Sequence, residues 1–112
     1  MVSEQYHIIY APRVARELKE IKNYTFQLSQ SMKIAENRVR MIVKGIEVLK
    51  LFPEAGFNAD EKFGKKLNPG TETRGITLKK DYIVLYDINH QEKIVYIRYL
   101  LPTKSDYMKL FR

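Results

Sequence analysis

Apolar and polar positions alternate along this chain in blocks that change period. Residues 82–88 read Tyr82-Ile83-Val84-Leu85-Tyr86-Asp87-Ile88. Residues 94–101 read Ile94-Val95-Tyr96-Ile97-Arg98-Tyr99-Leu100-Leu101, and polar Asn89-His90-Gln91-Glu92-Lys93 lies between them. Both runs are short and rich in β-branched and aromatic residues, which predicts two strands joined by a hairpin. They are nearly continuous in apolar residues, so the hairpin is expected at the buried centre of a sheet. Arg98 interrupts the second run. A charge there must reach water, a partner charge or a polyanion, because burying it unpaired is costly.

The remaining blocks read as cover for that hairpin. Tyr6-His7-Ile8-Ile9-Tyr10 predicts a first strand, ending before Ala11-Pro12. Pro12 suits the first turn of a helix, where its missing N–H costs nothing. Val14, Leu18, Ile21 and Leu28 then recur at helical spacing, with charged residues opposite. Ser31 fits an N-cap for a second helix, which Pro53 should stop after Phe52. That helix carries two apolar stripes: Ala35, Val39, Ile42, Ile46 and Leu49, and beside them Ile34, Met41 and Val48. A stripe this wide is either sandwiched between the first helix and the sheet or partly left for a partner; core packing is the simpler reading. Residues 53–70 read as one long irregular segment with a turn at Asn68-Pro69-Gly70.

Residues 71–79 alternate as a strand, with Arg74, Ile76 and Leu78 on one face and Thr73, Thr77 and Lys79 on the other. Lys80-Asp81 turns into the hairpin. After Pro102 a short tail, helical from about Ser105, offers Tyr107, Leu110 and Phe111 for packing. The expected fold is α+β: two N-terminal helices on an antiparallel sheet, in the order βααβββ plus tail, as a single domain over 1–112.

Composition narrows the function classes. The chain has 112 residues, no cysteine and a formal net charge of +7. No thiolate site or disulfide framework is possible. No signal peptide or membrane span is visible, so a cytoplasmic protein with no membrane partner is expected. A small basic domain suits a polyanion or an acidic protein as partner. His7 and His90 are the only histidines and neither has metal-ligand spacing, so no metal and no cofactor is expected. What remains is a basic and aromatic set: Lys65, Lys66, Arg74, Lys79, Lys80, Arg98, Lys104 and Tyr107. These residues suit phosphate contacts and base stacking, or stabilisation of an anionic phosphorane during RNA cleavage. Composition leaves RNA cleavage, nucleic-acid binding and protein binding open.

Several local patterns, in order, resemble the RelE/ParE superfamily of bacterial type II toxins. They are Tyr10-Ala11-Pro12; Val14-Ala15-Arg16-Glu17-Leu18; Ile46-Glu47-Val48-Leu49-Lys50-Leu51-Phe52-Pro53-Glu54-Ala55-Gly56; Arg74-Gly75-Ile76; Asp81-Tyr82-Ile83-Val84-Leu85-Tyr86; Ile97-Arg98-Tyr99-Leu100; and Ser105-Asp106-Tyr107-Met108-Lys109-Leu110-Phe111. The resemblance implies a growth-arresting toxin neutralised by a cognate antitoxin. RelE-like members cut mRNA on the ribosome without a metal; ParE-like members poison DNA gyrase. Here Ile83 stands where the nuclease branch carries an arginine, and Ser105 where it has the tail arginine. Lys104 could substitute only as a point charge. The Phe52-Pro53-Glu54-Ala55-Gly56 motif is also more typical of the ParE side.

The resemblance therefore implies gyrase inhibition, with the nuclease as the alternative and a non-toxic nucleic-acid-binding module third. Arg74, Arg98, Lys104 and Tyr107 would be catalytic in a nuclease. Lys65, Lys66, Lys79, Lys80, Tyr107, Lys109 and Phe111 would bind the target. Val14, Leu18, Ile34, Met41 and Val48 would bind the antitoxin.

Overall fold

The computed structural model describes residues 5–64, 66 and 70–104. Five strands form one sheet in the order β1-β5-β4-β3-β2. They are β1 (His7–Tyr10), β2 (Phe57–Asn58), β3 (Glu72–Leu78), β4 (Tyr82–Asn89) and β5 (Ile94–Pro102). Strands β3, β4 and β5 are the expected antiparallel meander, and β4 and β5 occupy the interior. β1 pairs with β5 in parallel, so the sheet is mixed. An apolar run identifies a strand but carries no information about its neighbour or direction.

α1 (Pro12–Ser29) begins with Pro12 in its first turn and ends at Gln30, which adopts a left-handed conformation with φ 57°. Ser31 caps α2 (Met32–Glu47), its hydroxyl accepting the Ile34 N–H at 3.2 Å. The second helix stops earlier than Pro53 suggested. A single 3-10 turn (Val48–Lys50) follows Glu47. This turn seats Leu49 in the core and presents the Lys50 carbonyl to the Tyr6 N–H at 2.9 Å.

The main core lies between the helices and one face of the sheet. Val14, Ile21, Ile42, Ile46 and Leu49 meet Val84, Tyr86, Ile88, Val95, Ile97 and Leu100 there. Each such aliphatic side chain contributes roughly 1.5–3 kcal/mol when fully buried. Val14 is 0 % exposed. It is a core residue, and its expected place on an antitoxin-binding surface is corrected: in the first turn of α1 its side chain already faces the sheet.

The opposite face carries a smaller cluster of Ala59, Ile83 and Leu85, with Phe57, Tyr99 and Leu101 around it. β4 is thus buried on both sides, which is why its sequence barely alternates. The cover on that second face comes from the segment expected to be irregular. β2 pairs with β3, and α3 (Ala59–Phe63) follows. Asn58 caps α3 by accepting the Glu61 N–H at 2.9 Å, and Gly64 closes it at φ 67°. Among the described residues, no helix is long and apolar enough to cross a membrane.

Candidate functional site

The two strand arginines of the candidate set point to opposite faces of the sheet. Arg74 pairs with Tyr86 in the β3–β4 register and so lies on the helix side. Its Nε and Nη2 donate to the Gly56 carbonyl at 3.0 and 2.7 Å, and its Nη1 donates to Glu72 at 2.8 Å. Arg74 therefore anchors the backbone that leads into β2. Tyr86 serves the same backbone: its hydroxyl donates to the Pro53 carbonyl at 2.8 Å and accepts the Gly56 N–H at 3.1 Å. Burial is the main reason its pKa lies above 10.0. Gly56 has no room for a side chain, since a Cβ there would stand 2.2 Å from the Gly75 carbonyl oxygen.

Arg98 owes its direction to an irregularity. The β4–β5 register shifts between Leu85 and Tyr86, so Arg98 is the extra residue between Ile97 and Tyr99. Its guanidinium ion-pairs with Asp87, on the face away from α1 and α2. Asp87 is 2 % exposed and also accepts the Thr73 hydroxyl at 2.6 Å. The buried carboxylate is thereby paired and hydrogen-bonded, which is the condition for keeping a charge there. Arg98 also lies 4.8 Å over the Tyr96 ring, and Arg13 lies 4.5 Å over Tyr99. These two cation–aromatic stacks flank a cleft of about 210 Å³ between the start of α1 and β5. Arg16 completes its cationic wall. Among the described residues, no carboxylate ion-pairs with Arg13 or Arg16. β1 ends opposite Ile97, so among the described residues no strand pairs with the outer edge of β5 beyond it. The cleft offers guanidinium groups and tyrosine rings to an anionic group, as phosphate or carboxylate recognition requires.

The other candidates fall elsewhere. Lys79 and Lys80 are exposed in the β3–β4 turn. Lys80 and Lys104 line a second cleft with Glu17, Glu20 and Arg38. Burial, and then Glu20, raises the pKa of Glu17. Lys66 ion-pairs with Asp60 at 3.7 Å. Ile34 and Val48 are 50 % and 46 % exposed, while Leu18 and Met41 are partly buried. Lys65, Tyr107, Lys109 and Phe111, and the expected tail helix, lie outside the described residues.

Sequence reading missed Arg13, Arg16, Tyr96 and Tyr99 as one group. The available signal was Asp87, a single acidic residue in an apolar strand, matched by Arg98 in the next strand. At the other end of the sheet Glu54, Glu72 and His90 bring three ligand-type side chains together.

Residues 8–107 match the family model described as the ParE toxin of type II toxin-antitoxin systems, parDE. Among solved structures, the chain is similar to the chromosomal ParDE toxin–antitoxin system from P. aeruginosa. The TM-score is 0.70 at 17 % identity, covering 91 % of this chain and 100 % of that one. It is also similar to the archaeal RelE–RelB complex from Pyrococcus horikoshii OT3. Here the TM-score is 0.57 at 18 % identity, covering 89 % of this chain and 97 % of that one. At these identities the structural likeness is one of fold. No curated protein matches the chain.

Proposed function

This chain belongs to the ParE toxin family of type II toxin–antitoxin systems, and from that premise we propose that it arrests growth by binding DNA gyrase, without cleaving RNA, and that a cognate antitoxin neutralises it. The observation that carries the choice is the separation of Arg74 and Arg98 on opposite faces of the sheet. A metal-free ribonuclease needs cations and a proton carrier converging on one phosphate. Here each strand arginine is already engaged, Arg74 by Gly56 and Glu72, Arg98 by Asp87.

Binding requires less convergence. The Arg13–Arg16–Arg98 cleft, with Tyr96 and Tyr99, supplies a cationic and aromatic surface for acidic residues or DNA phosphates of the gyrase complex. The antitoxin has an apolar foothold at Ile34 on α2 and Val48 in the 3-10 turn that follows it, both about half exposed. The test is an assay with purified gyrase, relaxed plasmid and ATP, run beside primer extension on a reporter mRNA in cells expressing the chain. Loss of supercoiling with intact message is the expected result. Codon-phased mRNA cuts with normal supercoiling would overturn it.

A further inference from the structure

Three segments far apart in sequence deliver metal-ligand atoms to one end of the sheet. Glu54 lies in the loop after the 3-10 turn, Glu72 opens β3, and His90 lies in the β4–β5 turn. One donor atom from each lies within 4.8 Å of the other two. His90 Nε2 faces Glu54 Oε1 at 3.6 Å. That separation is too long for a hydrogen bond. It is close to the spacing of two donors sharing one ion: with bonds of about 2.1 Å, ligands at a tetrahedral angle stand about 3.4 Å apart.

The imidazole is held from behind. His90 Nδ1 and the Tyr6 hydroxyl are hydrogen-bonded at 2.8 Å, and the two rings meet edge to face with centroids 5.9 Å apart. An outer partner on one ring nitrogen, with the other aimed at carboxylates, is how metal-binding histidines are oriented. With Nδ1–H donating to Tyr6, the Nε2 lone pair faces a carboxylate, and a cation between them removes the repulsion. Arg74 holds one oxygen of Glu72, leaving that carboxylate a second oxygen. Lys93 sits over the Tyr6 ring at 5.1 Å. These two cations oppose an ion and moderate its affinity. Among the described residues, Glu54 has no ionic partner other than His90.

We propose that Glu54, Glu72 and His90 form a site for a first-row divalent ion of the zinc class. One nitrogen and two oxygen ligands suit such an ion, with further positions left to water. Its role is to tie the loop before β2 to the β4–β5 turn. The site lies apart from the arginine cleft, so its test is independent of the target.

The experiment adds ZnCl₂ to the metal-free full chain, followed by calorimetric titration and thermal unfolding. One ion per chain and a Tm that rises with zinc concentration are expected. Cobalt(II) should give visible absorption bands that zinc abolishes. His90→Gln and Glu54→Gln should each lose at least tenfold in zinc affinity, and Tyr6→Phe about tenfold through the lost orientation of the ring. His7→Gln, on the exposed side of β1, should bind as the wild type does. Glu54 and His90 are exposed, so the variants are expected to keep the wild-type circular dichroism. Equal zinc affinity in wild type and His90→Gln, or no rise in Tm at excess zinc, would overturn the site.

Discussion

Tyr86 holds two backbone groups at once, the Pro53 carbonyl and the Gly56 N–H, from a fully buried position. Tyr86→Phe keeps the ring and strands both partners, so it should cost about 1–3 kcal/mol. For a domain of this size that is a fall in Tm of roughly 4–20 °C. The hydroxyl also sets an alkaline limit. Burial raises its folded pKa above 10.0, so the folded state keeps the proton that the unfolded state releases. This contribution is whole below pH 10 and is lost as pH climbs through the folded value. Urea midpoints from pH 8 to 11 should therefore fall more steeply for wild type than for Tyr86→Phe. Arg98 needs similar care: Arg98→Ala removes an ion pair to the buried Asp87, which destabilises the fold, so lost toxicity in that variant would report folding as much as target contact.

At the scale of elements, long periodic segments were legible and short ones were not. Ser31, Pro12 and the apolar stripes placed both helices, and the uninterrupted runs placed β4 and β5. The parallel pairing of β1 was not legible, because pairing partners are chosen by the whole fold. Nor were β2 and α3, which are too short for any period, although Asn58, Glu61 and Gly64 carried their capping signals. The arginine cleft was hidden by a register shift that no local pattern announces. The β3–β4 turn gives a prediction at this scale. Lys79 and Lys80 have φ of 47° and 66°, and the Asp81 N–H bonds to the Leu78 carbonyl at 3.1 Å. That is a two-residue turn whose positive φ values favour Asn-Gly over two lysines. Lys79→Asn with Lys80→Gly should raise Tm by several degrees, at about 1 kcal/mol or more. If gyrase inhibition falls while Tm rises, the lysines themselves touch the target; if inhibition is unchanged, they only form the turn.

For the whole molecule, the question is which cationic surface meets the target. The net charge is +7, and the two strand arginines lie on opposite faces of the sheet, so net charge alone steers without choosing a side. Two sites are candidates: the cleft of Arg13, Arg16 and Arg98, and the turn lysines with Lys104 beside Glu17 and Glu20. The acidic pair offsets part of the second field, while among the described residues that line the first none is acidic. Arg98 is held by Asp87, while Arg13 and Arg16 are exposed and have no ion-pair partner among the described residues. Both project from the first turns of α1, and neither side chain is in the core. Arg13→Glu with Arg16→Glu should therefore leave Tm nearly unchanged. In the supercoiling assay the same variant should need at least tenfold more protein for half inhibition, a loss of about 1.4 kcal/mol or more in target binding. Wild-type inhibition should weaken as salt rises, and the variant should lose most of that dependence, because the screened charges have been removed. If the charge-reversed variant instead inhibits like wild type at every salt concentration, the cleft is not the contact, and the turn lysines with the basic C-terminal residues become the surface to reverse next.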